Sequence, residues 1–113
     1  MHEEWWEPEP AEIGLPTVLG ALADPARLEL LKAMHELGEA RCGDVSTHSG
    51  LGLSKSTVSH HLKVLREAGL IHARMEGTSK YVSIRHDDME TACPGLLHAV
   101  IGEHSHAKAS TAS

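Results

Sequence analysis

The sequence predicts a mostly α-helical domain carrying one small β-hairpin. Residues 53–84, LSKSTVSHHLKVLREAGLIHARMEGTSKYVSI, read as a capped helix, a glycine stop and two short strands about a turn. Further upstream, apolar residues recur twice at helical spacing. The chain has no Phe, so its core must be built from Leu, Ile, Val, Met and Ala. A hairpin placed directly behind a helix with a polar outer face is the arrangement of a winged helix-turn-helix.

Leu15, Val18, Leu19 and Leu22 form the first stripe, on a helix starting near Pro16. Asp24-Pro25 then interrupts. Asp is a good N-cap and Pro suits the first helical position, so a second helix runs from about Pro25 to Leu37. Leu28, Leu30, Leu31, Met34 and Leu37 should point inward, and Gly38 should stop the helix. A short third helix should cover about Gly43 to Ser49, and the GLGLS segment turns the corner. Ser54 caps the next helix and Gly69 falls where a left-handed C-cap is wanted. The strands His72–Glu76 and Lys80–Ile84 flank Gly77-Thr78-Ser79. Asp87-Asp88-Met89-Glu90 looks like a capped turn, and Pro94 opens a last helix holding Leu96, Leu97, Val100 and Ile101. Residues 1–12 form an acidic arm, 13–103 the domain with a terminal dimerisation helix at each end, and 104–113 a flexible polar tail.

The helix after Ser54 has two faces. Val58, Leu62 and Leu65 make a stripe to bury. Lys55, Ser56, Ser59, His60 and Lys63 make another, composed of short donors and cations with nothing apolar among them. Such a face suits a polar, anionic groove, and the DNA major groove is the obvious one.

Net charge is −6 over 113 residues, which at first argues against nucleic acid. The distribution reverses that. Residues 51–86 carry six bases against two acids, and four of the ten histidines lie in that block. Every other block is negative, most strongly the first 24 residues, with six acids and no base. The field at a contact face matters more than the global charge. No run of about 18 apolar residues exists to span a membrane. The acidic start is not a secretory signal, and two cysteines are too few for a disulfide framework. A reducing cytoplasm is the expected compartment.

ALADPARLELLKAM, followed by LSKSTVSHHLKVLREAGLI and a short Gly-containing hairpin, resembles the ArsR/SmtB family of bacterial transcriptional repressors over roughly residues 15–101. The resemblance implies a cytoplasmic homodimer that binds an imperfect palindrome over a promoter and leaves when an inducer binds. It places Lys55, Ser56, Thr57, Ser59 and His60 against bases and phosphates, and Arg74, Thr78, Lys80 and Tyr81 on the wing. Lys63 and Lys80 are expected on phosphate. The first and last helices are implied to pair the subunits. Leu15, Val18, Leu19, Leu22, Leu97, Val100 and Ile101 are apolar residues there beyond what so small a core should use.

The family often senses metals. One familiar site is a Cys-x-Cys pair, but EARCGDVS has Cys42 alone, where a small buried apolar residue would stand. A second site would use Asp87 and His98, but its other two positions hold Arg85 and Ile101. A half-site does not hold zinc. His98, Glu103, His104 and His106 keep a metal alternative open, since imidazole and carboxylate suit Zn²⁺, Ni²⁺ or Co²⁺. A thiol-redox alternative would use Cys42 and Cys93, the latter beside Pro94 and an expected helix N-terminus. The tail also resembles a branch of the family without recognised metal sites, and no cofactor is expected. Trp5 and Trp6 either pack the arm over a subunit or close a lid over an aromatic ligand.

Enzyme readings fare badly. Ser59-His60 lacks an orienting carboxylate, and no phosphate loop, HExxH or dinucleotide fingerprint occurs. The remaining alternative is a winged helix that binds protein instead of DNA. Apolar residues in place of Ser56, Ser59 and Lys63 would favour it.

Overall fold

A computed structural model describes residues 6–102. Trp5, Glu103, His104, His106 and the expected tail lie outside them. A 3-10 turn over Pro10–Glu12 leads into α1 (Leu15–Leu22), α2 (Pro25–Leu37), β1 (Ala40–Arg41), α3 (Cys42–Ser49) and α4 (Lys55–Ala68). Then come β2 (Ile71–Glu76), β3 (Ser79–Ile84), α5 (His86–Ala92) and a π-helical turn, His98–Gly102. No helix among the described residues is long and apolar enough to cross a membrane.

Local chemistry explains the boundaries. Asp24 accepts the Ala26 amide at 2.8 Å and Pro25 opens α2. Ser54 accepts the Thr57 amide at 3.2 Å at the head of α4. Gly69 closes α4 at φ 96, a backbone that L side chains rarely adopt. Its position is also crowded, since a Cβ there would lie 2.6 Å from Ile13 Cγ1 and 3.2 Å from Pro8 Cγ.

The core forms where α2 meets α1, α3, α4 and β3. Leu30, Leu31, Ala33 and Met34 of α2 are all buried, a wide face that fits a helix with neighbours on several sides. Leu65, Leu70, Ile71, Val82 and Met89 complete the centre. Leu37, expected inward, is 39% exposed because it lies on the last turn of α2, past the packed stretch.

The sheet has three strands in the order β1-β3-β2, all antiparallel. β2 and β3 pair from Ile71↔Ile84 to Glu76↔Ser79, leaving Gly77 and Thr78 as a two-residue loop. Gly77, at φ 62, takes the first loop position, as a tight right-twisted hairpin requires. β1 is unforeseen by the sequence reading. Its two residues pair with Val82 and Tyr81 and tie the segment before α3 to the wing.

Three further expectations are corrected. Pro94 lies just ahead of the last helix instead of within it: helical backbone runs over 96–102 and carries Leu96, Leu97, Val100 and Ile101 as expected. Cys93 ends α5, donating its N–H to Met89 O, and positions 94–95 form a turn before helical backbone resumes. Val18, Leu97 and Ile101 are not spare apolar residues, because the subunit's own core buries them to 0%, 8% and 3% exposure. Leu15 and Leu19 do stand out, each 49% exposed on α1. Residues 6–13, expected to fall mostly in a separate arm, pack onto the domain. Glu7 receives the Ala73 amide at 3.0 Å and pairs with His72 Nδ1 at 2.7 Å, and Pro8 is buried.

Candidate nucleic-acid interface

The 14 residues of α4 span about 21 Å at 1.5 Å each. Val58, His61, Leu62, Leu65, Arg66 and Ala68 face inward. Lys55, Ser56, Ser59, His60 and Lys63 are all exposed, so the structure gathers the expected polar face on one side of one helix. Its neighbours fit the helix-turn-helix pattern: α3 precedes it, ends at Gly50, and gives way to the turn at 50–54.

Thr57 is the exception on that helix. It is half-buried, and its Oγ1 takes a hydrogen bond from Ser54 Oγ at 2.9 Å. With its own amide also donating to Ser54, Thr57 belongs to the helix cap.

The back of α4 is fixed by a polar connection that the sequence reading missed. Arg27 of α2 approaches His61 Nδ1 at 3.2 Å and donates through Nε to Ala21 O at 2.7 Å. Arginine can only donate, so Nδ1 of His61 accepts. Asp24 completes the chain, 3.8 Å from Arg27. The Ala26 amide, with help from Arg27, holds the Asp24 carboxyl below its ordinary range. This linkage joins the buried side of α4 to α2 and to the end of α1. The available signal was Arg27 and His61 on neighbouring apolar stripes, a buried polar residue being the informative case.

The wing divides its expected contacts. Thr78 is exposed at the hairpin tip, and Lys80 is half-buried beside it on β3. Arg74 is committed elsewhere. Its guanidinium holds Glu39 through Nε at 2.8 Å and Nη2 at 3.0 Å, and Glu76 through Nη1 at 2.8 Å. It also lies over the Tyr81 ring, 4.8 Å from the centroid. The fork of two bonds pulls the Glu39 carboxyl below its usual range and raises the guanidinium further. Arg74 and Tyr81, both on the wing as expected, therefore brace the hairpin against the segment before β1. Glu39 lies 35 positions from Arg74, so no local pattern announced the pair.

The metal and thiol alternatives gain little. Asp87 and His98 border one cavity of about 310 Å³ with His35, His86 and Glu90. Among the described residues, however, no three His, Cys, Asp or Glu converge closely enough to hold a metal ion. Cys42 and Cys93 are free thiols. Burial pushes the Cys42 thiol up, against the pull of Lys80, which suits an inert wall residue better than a nucleophile. Trp6 is 55% exposed.

Known proteins share this arrangement. The family model described as "Bacterial regulatory protein, arsR family" matches residues 24–73, from the cap of α2 into β2. An uncharacterised HTH-type transcriptional regulator of Bacillus subtilis, YceK, is 38% identical over 84 residues, covering 74% of this chain and 82% of its own. The arsenical resistance operon repressor of Staphylococcus xylosus is 33% identical over 76 residues, covering 67% of this chain and 70% of its own. The homodimeric winged helix-turn-helix DNA-binding domain of a possible ArsR-family regulator from Mycobacterium bovis superposes with a TM-score of 0.63 at 32% identity, covering 80% of each chain. The chain belongs to the arsR family of bacterial regulatory proteins, and is a DNA-binding transcriptional repressor of the winged helix-turn-helix class, not an enzyme.

Proposed function

We propose that the protein acts in the cytoplasm as a homodimer on an imperfect palindromic operator and is released by a small-molecule inducer. The observation that carries this reading is the uninterrupted exposed face Lys55, Ser56, Ser59, His60 and Lys63 on α4. Ser56, Ser59 and His60 offer hydrogen bonds to base edges, and Lys55, Lys63 and Lys80 offer charge to phosphates. Thr78, exposed at the wing tip, would meet the DNA backbone.

One helix and one wing make too few contacts for a selective site. Pairing two subunits doubles the interface and sets half-sites about 34 Å apart. Leu15 and Leu19 support pairing through α1, as exposed leucines one helical turn apart. Leu22 and Val100 are half-buried and adjoin the core, so they can contribute at the edge. The homodimeric relative from M. bovis supports the same assembly.

Selection from a pool of random duplexes tests this reading. Enrichment of an inverted repeat with half-site centres about 10 base pairs apart is expected. Light scattering should give the mass of two chains. A stable monomer that enriches no sequence would contradict both parts.

A further inference from the structure

A cavity of about 360 Å³ opens between α3, the turn before α4, α4 and β3. Leu53, Val58 and Cys42 supply its apolar interior; Lys55, Ser59 and Lys80 stand at its more exposed side. Its size falls within the range of pockets that take small organic ligands, and its pattern is theirs too: apolar walls with a few convergent polar groups.

We infer that this cavity receives a small amphipathic monoanion, a carboxylate on a compact aromatic or branched aliphatic body, and that its occupancy excludes DNA directly. The apolar body would bury against Leu53, Val58 and Cys42. The carboxylate would meet the ammonium groups of Lys55 and Lys80 and the Ser59 hydroxyl. Charge complementarity selects an anion over a cation or a neutral molecule. The Cys42 thiol agrees with this occupant, because burial keeps it protonated and a thiolate wall would repel a carboxylate.

The inference rests on the DNA-interface reading in one respect. Lys55, Ser59 and Lys80 are assigned there to bases and phosphates, so ligand and DNA would require the same three groups. Release then follows from competition for shared donors, with no change in the angle between subunits. Ligand and duplex weaken each other by the same factor, as linkage demands.

Calorimetric titration of the full chain with benzoate and with 3-methylbutanoate tests this, with benzamide as the neutral control. The titrations are run without DNA and then with the chain saturated by a selected duplex. Each carboxylate should bind once per subunit, and benzamide about tenfold more weakly or not at all. Saturating duplex should raise the apparent dissociation constant of the carboxylates by about tenfold or more. Ser46→Leu, which fills the α3 wall, should remove carboxylate binding and leave duplex affinity within about twofold. The wild-type competition stands by itself if that variant does not fold. Three results would overturn the inference: neither carboxylate binding by about 10 mM, equal affinity for free and DNA-bound chain, or full binding in a folded Ser46→Leu variant. Failure of the two readings is separable. A chain that binds carboxylate but no duplex refutes the interface and the exclusion step, whereas one that binds duplex but no carboxylate refutes the cavity.

Discussion

Gly69→Ala probes the joint between α4 and the wing. Two costs add at this position. At φ 96 the backbone is left-handed, which costs an L side chain roughly 1–2 kcal/mol. The new Cβ would also meet Ile13 Cγ1 at 2.6 Å and Cδ1 at 2.7 Å, well inside carbon–carbon contact. Relieving such an overlap in a packed site costs about 1–3 kcal/mol. The expected loss is therefore roughly 2–5 kcal/mol, against a total stability on the order of 5–15 kcal/mol for a domain. Urea unfolding followed by circular dichroism measures it, at fixed protein concentration because a dimer's stability depends on concentration. Ile13→Ala in the same chain should remove the overlap and leave the backbone strain. The double variant should thus be about 1–3 kcal/mol better than the sum of the single variants. A loss below about 1 kcal/mol for Gly69→Ala, or strict additivity within about 0.5 kcal/mol, would refute the packing of residues 8–13 against the end of α4.

Lys63→Ala and Lys80→Ala should each lower the slope of log affinity against log salt by about one per subunit and weaken all duplexes alike. Arg74→Ala should leave that slope unchanged while lowering wing stability in hydrogen exchange, since its guanidinium is held by Glu39 and Glu76. Ser54→Ala should cost about 1 kcal/mol in urea unfolding by freeing the Thr57 amide and hydroxyl. Asp24 and Glu39 both have carboxyls held low, so their contributions are complete above the ordinary carboxylate range. Stability should fall as pH drops through that range, and Glu39→Gln should flatten the fall in an acid titration of the melting temperature. Cys42 titrates in the opposite sense: its thiol is raised, so its contribution is present below the ordinary thiol range and fades as pH rises above it.

The parts of the fold legible in the sequence were those fixed by neighbours in the chain. Asp24-Pro25, Ser54 and Gly69 set helix ends through bonds spanning a few residues, and each falls where expected. The polar face of α4 was legible for the same reason, because helical spacing alone separates Ser59 and Lys63 from Val58 and Leu62. Contacts across the fold were not legible. β1 is two residues long and exists only because β3 offers it partners. The Arg74–Glu39 and Arg27–His61 contacts join segments that the sequence holds far apart. Burial of Val18, Leu97 and Ile101 misled the reading in the other direction, since an apolar stripe does not say whether its own core or a second subunit covers it.

The central claim is that α4 reads sequence through its exposed hydroxyls. Its most direct test is the ratio of affinities for a selected site and a random duplex, measured by fluorescence anisotropy for the native chain and for Ser56→Ala with Ser59→Ala. Both residues are exposed, so the fold should persist in circular dichroism. A base contact is worth about 1–3 kcal/mol of discrimination. The ratio should therefore fall by about tenfold or more, through loss of affinity for the selected site with affinity for random duplex nearly unchanged. A folded double variant that keeps the native ratio would contradict the account.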